Sequence, residues 1–280
     1  MIHKKIFKVI VIIFALIGLV FTIVFLGMQV GAFNVKGANG ARNISLGATS
    51  TVPKPVNDCV DTTKTVCDWD KTVQWTTIKA ALTKDASVIQ DVSSKTGVDS
   101  RMIAATVIPE QLRYFTANRE SFKKYFEPLK ILGALSKFSL GVSGVKQETA
   151  VQIEKYANDS TSDFYPGDGI AALIAYPEGS SHDTVLFDRL TDEHNHYYSY
   201  LYTALYIKEI QSQWAKAGFD VSKQPEVPVT LFNVGFGASH PNATPRVAGS
   251  IITLGGAKYS FGQLGTLFYN SDELTDIFGK

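Results

Sequence analysis

From Ile6 to Met28 the chain reads IFKVIVIIFALIGLVFTIVFLGM, with Lys8 its only charged residue. A run of about 20 apolar residues is what a helix needs to cross the hydrocarbon core, and no polar face is left to meet solvent. The pattern predicts a transmembrane helix over 6–28. A cleaved signal peptide is the main competitor. The run is longer than the usual apolar region of such a peptide and no A-x-A-like site follows it, so an uncleaved anchor is preferred. His3, Lys4, Lys5 and Lys8 stand before or at the start of the span. Basic residues stay on the cytoplasmic side, so residues 1–5 are expected to form a cytoplasmic tip and everything after Met28 to lie outside.

Residues 29–57 are rich in Gly, Ala, Ser, Thr, Asn and Pro without a sustained period, the composition of a flexible spacer. Beyond it helical spacing returns. Val73, Ile78, Leu82, Val88, Ile89 and Val92 predict one or two helices between Trp69 and Ser94, stopped at Gly97. Asp99 or Ser100 caps the next helix, which carries ATVIPEQLRYF. Further helices are expected near 119–125, 148–157, 194–217 with Gly218 as its stop, and 226–234. The stripe Tyr197, Leu201, Leu205, Ile210 and Trp214 marks 194–217 as the central core helix. SIITLGGAKYSFG, residues 250–262, reads as a β-hairpin turning at Gly255 and Gly256. There is no internal repeat. The expected architecture is mainly α, a helical domain with a small β-hairpin, preceded by one transmembrane helix.

With 45% apolar and 11% aromatic residues in a length of 280, the chain can bury a core of ordinary size. Its net charge is +1; the first 28 residues hold three of the 27 basic residues and none of the 26 acidic ones, leaving a formal −2 on the rest. Nothing in that balance attracts nucleic acid. Cys59 and Cys67 are the only cysteines. An oxidising compartment lets so close a pair form a disulfide, which would contribute roughly 2–3 kcal/mol; two free thiols are the alternative. Without nearby histidines the two do not make a four-ligand zinc site.

One carboxylate stands in an apolar row. On a helix starting near Arg101, residues three and four apart share a face, so Ile103, Val107, Glu110 and Tyr114 line one side. Taking a carboxylate out of water disfavours its charged form, which makes Glu110 a candidate general acid. The alternative is a Glu at the edge of the stripe, reaching water or pairing with Arg113. Pro109 removes one helical amide bond and clashes with the carbonyl four residues back, so a kink or helix end is expected just before Glu110.

The run TGVDSRMIAATVIPEQLRY resembles the motif of lytic transglycosylases and goose-type lysozymes, in which a helix after a short G-V-D turn ends in the catalytic Glu. Downstream, Ser139 to Lys146 followed by Glu148, Thr149 and Ala150 resemble that family's S-x-G-x-x-Q-I … T-A segment, which lines the sugar-binding cleft. TLFNVGFG, Thr230 to Gly237, is similar to its Y-N-x-G segment, and Asn195 stands where the family commonly has an Asn. The segments occur in the family's order and cover roughly Asp85 to Gly237. Departures are Gln111 for a Ser after the Glu, Lys146 at or beside an Ile, Phe232 for the Tyr of Y-N-x-G, and Pro109.

The resemblance implies a lysozyme-like α+β catalytic domain over 85–280, with 58–84 as a disulfide-containing extension. It implies Glu110 as acid and base at the β-1,4 bond between N-acetylmuramic acid and N-acetylglucosamine of peptidoglycan. Ser139, Gln147 and Asn233 are the substrate-binding candidates, with turn capping and loop closure as their other role. The partners implied are peptidoglycan glycan strands, and the bacterial cytoplasmic membrane through the N-terminal helix; no cofactor or metal is called for. A lytic transglycosylase completes the reaction with the sugar's own groups and forms a 1,6-anhydro product, whereas a lysozyme uses water and a second carboxylate. Asp163, Asp168, Glu178 and Asp183 are candidates for that partner, but they stand in a loop-rich stretch where acids are ordinarily solvated, so the transglycosylase route is preferred.

Two other readings remain. In DEHNH, Asp192 to His196, carboxylates and histidines could hold zinc, but His194 and His196 are two apart and point to different sides of a helix. A non-catalytic module could bind the wall with the same surface; it would tolerate Glu110→Gln where an enzyme would not.

Overall fold

The computed structural model describes residues 18–19, 58–116, 139–192 and 194–280. The expected span 6–28, apart from Gly18 and Leu19, the spacer 29–57 and the helix near 119–125 lie outside these residues. Among the described residues no helix is long and apolar enough to cross a membrane. The described residues from 58 onward belong to one compact unit.

Helix α1, Val73–Lys84, starts where the Thr72 hydroxyl accepts the Trp75 N–H. It ends at Asp85, which opens α2, Ala86–Thr96. Gly97 then takes a left-handed φ of 71° and donates its N–H to the Ser93 carbonyl, the stop that the sequence indicates. The Asp99 carboxylate accepts the Arg101 N–H at 2.9 Å and leads into α3, Ser100–Thr116.

Helix α3 does not end at Pro109 but continues through it. The proline leaves the Ala105 carbonyl without its helical donor, and Gly265 of a later helix closes over that spot. A Cβ on Gly265 would stand 2.5 Å from the Ala105 oxygen and 2.6 Å from Val229 Cγ1. The bare backbone of one helix thus packs on the gap that proline opens in another.

After α3 comes a two-residue ribbon, β1 Ser139–Leu140 antiparallel to β2 Val145–Lys146, and then α4, Gln147–Ala157. The loop-rich stretch that follows holds one 3₁₀ turn, Ala171–Ile174. It runs into α5, His182–Thr191, a helix the apolar pattern does not announce. The long helix α6 covers Tyr197–Lys216; it begins three residues later than expected, after the Asn195 side chain has accepted the Tyr197 N–H. Every residue of α6 from Ser199 to Ile207 is buried, so its burial is all round rather than a stripe. It touches α2, α3, α4, α5 and α7, the last being Glu226–Val234.

The expected hairpin is present as β3 Ile251–Leu254 and β4 Ala257–Ser260. Gly255 and Gly256 both have positive φ, 56° and 78°, as a two-residue primed turn requires. Ser260 and Gln263 form a capping box at the start of α8, Phe261–Asn270, and α9, Thr275–Phe278, closes the described chain. Neither α8 nor α9 was expected.

Cys59 and Cys67 form a disulfide with Cα atoms 5.9 Å apart. Its loop rests on the hairpin turn through Cys67 N–H to Gly255 O, 2.9 Å, and the rings of Trp69, Trp75 and Phe268 pack together at 4.9–6.4 Å. Residues 58–84 therefore share the core of the remainder. At the start of α3, beside the Phe268 ring, Arg101 is 1% exposed. Its guanidinium donates to the backbone carbonyls of Phe268, Tyr269, Ser271, Glu273 and Gly279, which gathers the end of α8 and the turn of α9 onto α3.

Candidate functional site

Residues 101–110 of α3 are buried without interruption, and Glu110, at 3% exposure, ends that run. Helical spacing puts it one turn beyond Val107 and Thr106, on the face where the short ribbon β1–β2 arrives. The approach is backbone to carboxyl: a Cβ on Gly144 would lie 2.6 Å from both Cγ and Cδ of Glu110. Only a glycine lets the ribbon come so near, and its φ of 65° asks for one as well.

The ribbon is held from three sides. Gln111 donates its side-chain amide to the Val142 carbonyl. The Ser143 hydroxyl, wholly buried, donates to the Ser199 carbonyl of α6 at 2.9 Å. Gly141, φ 60°, lies so close to the end of α5 that a Cβ would stand 3.2 Å from the Leu190 carbonyl carbon. Gln111 thus ties the helix of Glu110 to the ribbon.

Glu110 does not sit alone. Arg113, one turn on, donates from Nη2 to Glu110 Oε1 at 2.5 Å, with the Arg side chain 23% exposed. The pairing with Arg113 that the sequence left as an alternative is therefore present, together with the burial that the apolar row predicted.

The other sequence candidates are dispersed. Ser139 pairs through its backbone with Lys146; its side chain lies outside what is described. Gln147 is the first residue of α4 and half-buried. In S-x-G-x-x-Q-I laid on Ser139 to Val145, the Gln position is occupied by Gly144, the residue that meets the acid. The Asn233 oxygen accepts the Ser250 N–H at 2.8 Å and its hydroxyl at 3.1 Å, a loop-closing role. Phe232 sets its ring 5.3 Å from that of Tyr206. Asp163, Asp168, Glu178 and Asp183 are all exposed. In DEHNH, His196 turns away to Asp85 at 2.6 Å and His194 is exposed. Among the described residues no group of three metal-ligating side chains forms. An open groove lined by Ser87, Val88, Asp91, Lys95, Asn195 and Tyr197 includes neither Glu110 nor Gly144.

Two further buried carboxylates escaped the sequence reading. Glu154 of α4, 9% exposed, accepts from the hydroxyls of Tyr176 and Tyr202 and pairs with His182 Nε2 at 2.6 Å. That bond raises the His182 pKa above its ordinary value, and burial together with Glu154 raises both tyrosines. Glu209 of α6 is fully buried, and among the described residues neither of its oxygens has a hydrogen-bond partner. Burial alone holds its pKa well above the usual carboxylate range. The signal was available: Glu154 stands in register with Ala150 and Ala157, and Glu209 with Leu205 and Tyr206, the same arrangement that singled out Glu110.

No protein-family model, curated protein or solved structure matches this chain.

Proposed function

We propose that this protein is a membrane-anchored enzyme that cleaves the β-1,4 bond between N-acetylmuramic acid and N-acetylglucosamine in peptidoglycan, by the transglycosylase route, in a lysozyme-like domain. What carries the reading is the meeting of Glu110 with Gly144. Two segments picked out by resemblance, well apart in the chain, come together with the backbone of one against the carboxyl of the other. The apolar run 6–28 is the anchor in this reading and holds the domain on the outer face of the membrane.

The chemistry is acid–base. Glu110 gives its proton to the glycosidic oxygen as the bond from C1 of the muramic acid breaks, and the leaving sugar departs as a neutral alcohol. The C6 hydroxyl of the same muramic acid then attacks C1 and returns its proton to Glu110, which leaves a 1,6-anhydro ring and the enzyme as it began. No second carboxylate is needed, and the four loop acids are exposed.

The test is mass spectrometry of purified peptidoglycan incubated with the full-length chain in detergent, beside Glu110→Gln. Anhydro-muropeptides from the wild type, falling at least about 100-fold in the variant as expected for loss of a general acid, are the expected result. Reducing ends from the wild type would mean hydrolysis. Unchanged glycan with both proteins, from a folded chain that still sediments with peptidoglycan, would leave a binding module.

A further inference from the structure

Among the described residues, Glu209 is the buried carboxylate with neither oxygen hydrogen-bonded. Burying a carboxyl without a partner costs stability, and its surroundings are aromatic rather than polar. Residues three and four apart on α6 share a face, and the row Tyr206, Glu209, Ser212 and Gln213 meets two segments from elsewhere in the chain. The Ser212 hydroxyl donates to the Tyr165 carbonyl at 2.6 Å, and the Ser239 hydroxyl donates to Gln213. The row therefore runs between the turn after α4 and the 3₁₀ turn Phe236–Ala238. Each of these turns supplies a ring. Phe164 stacks on Tyr156 of α4 at 4.5 Å, and Phe236 sets its edge against both at 5.1 and 5.2 Å while lying 4.1 Å from Tyr206. Burial, and next the nearby Glu209, raise the pKa of both Tyr156 and Tyr206, which places the carboxyl beside these two rings. The Tyr206 hydroxyl is spent on the Leu231 carbonyl at 2.7 Å. Tyr206 is buried and the other three residues are half-buried, so the cluster reaches from the acid toward the surface.

Ring faces gathered beside an acid are suited to an organic ammonium: the rings attract the cation and the carboxylate neutralises it. A metal ion of the calcium type would want six to eight oxygen ligands, which phenyl faces do not supply, and a neutral guest would have no use for the acid. We propose that Glu209 and the rings of Tyr156, Phe164, Phe236 and Tyr206 form a binding site for an alkylammonium group. The rings touch, so the cation enters by parting Phe164 and Phe236, both of which stand on turns rather than within α-helices. On binding, the Glu209 O–H bond breaks, its proton goes to water, and the carboxylate left behind pairs with the cation. Burial alone raises the Glu209 pKa, with no charged side chain of a packed element adding to it. The two tyrosines that face it are raised as well and stay neutral. Binding therefore strengthens as pH rises and releases a proton. Nothing in this site depends on Glu110 being the acid.

The experiment is titration calorimetry of the full-length chain in a non-ionic detergent, at about pH 6 and pH 8 and constant ionic strength. Three probes are compared: choline, N-acetyl-lysine amide, and the uncharged tert-butyl analogue of choline. At least one ammonium is expected to bind at least about tenfold more tightly than the uncharged analogue, more tightly at the higher pH, and with a proton released to the buffer. Preference for choline would assign a quaternary ammonium, and preference for the lysine derivative the primary amine of a peptide. Glu209→Gln removes a charge that burial penalises, and should weaken ammonium binding at least about tenfold and abolish its pH dependence; Phe236→Leu should weaken it through loss of a ring. No binding of either ammonium overturns the inference, as does equal binding of the uncharged analogue or wild-type affinity in Glu209→Gln. If a variant does not fold, the wild-type preference for a cation and its pH dependence decide.

Discussion

Glu209 and Glu110 are both buried carboxylates on helices, and among the described residues only Glu110 has an arginine beside it. For Glu209 the linkage to stability is direct. The folded chain keeps a proton that the unfolded chain gives up from about pH 4.3, so what the residue contributes is complete below that pH and is lost as pH rises toward the higher folded value. Glu209→Gln should raise the melting temperature at pH 7–8 and make no difference near pH 4. Each unit of raised pKa is about 1.4 kcal/mol, or about 3–6 °C for a domain of this size; calorimetry across pH would show it, and a gain independent of pH would contradict it. At this scale burial was readable from spacing, for Glu110 directly and for Glu154 and Glu209 had the same argument been applied to them. Partners were not. Tyr176, His182 and Tyr202 reach Glu154 from 22, 28 and 48 residues away, and periodicity says nothing about such distances.

The elements that the pattern found are those with a strong local signal. Gly97 and the Gly255–Gly256 turn need positive φ, and α6 carries enough apolar residues to read as a helix from any side. Helix α8 was missed because Gly262 and Gly265 look like loop residues. In the folded protein they are what lets α8 close on its neighbours: Gly265 on Ala105 and Val229, Gly262 within 3.0 Å of the Ala248 carbonyl for an added Cβ. Gly265→Ala should therefore cost about 1–3 kcal/mol through overpacking, despite alanine's better helix propensity. Urea unfolding would measure it, and a neutral or stabilising result would mean that α8 can shift aside. Pro109 misled for a related reason, since the helix break it predicts was averted by tertiary packing that no local rule contains.

Across the whole molecule, the mainly helical architecture and the Cys59–Cys67 disulfide were readable, and the surfaces they fasten were not. The Cys59–Cys67 loop rests on the hairpin turn, and Arg101 holds residues 268–279 with bonds to five carbonyls. A bond from a charged donor is worth about 1.5–3 kcal/mol, and the bonds share one donor group, so they do not simply add. Arg101→Met should still lower stability by at least about 3 kcal/mol and loosen residues 268–279 first, as hydrogen exchange would report; protection unchanged in that segment would show that it is held by other means.

The fastening also has an order in time. Arg101 and Gly279 are 178 residues apart, and at roughly 5–20 residues per second a ribosome takes about 10–40 s to travel between them. Through that interval the helix that carries Glu110 has been made while the carbonyls that anchor its first turn have not. The first turn of α3 is thus fastened only after residues 268–279 have been made.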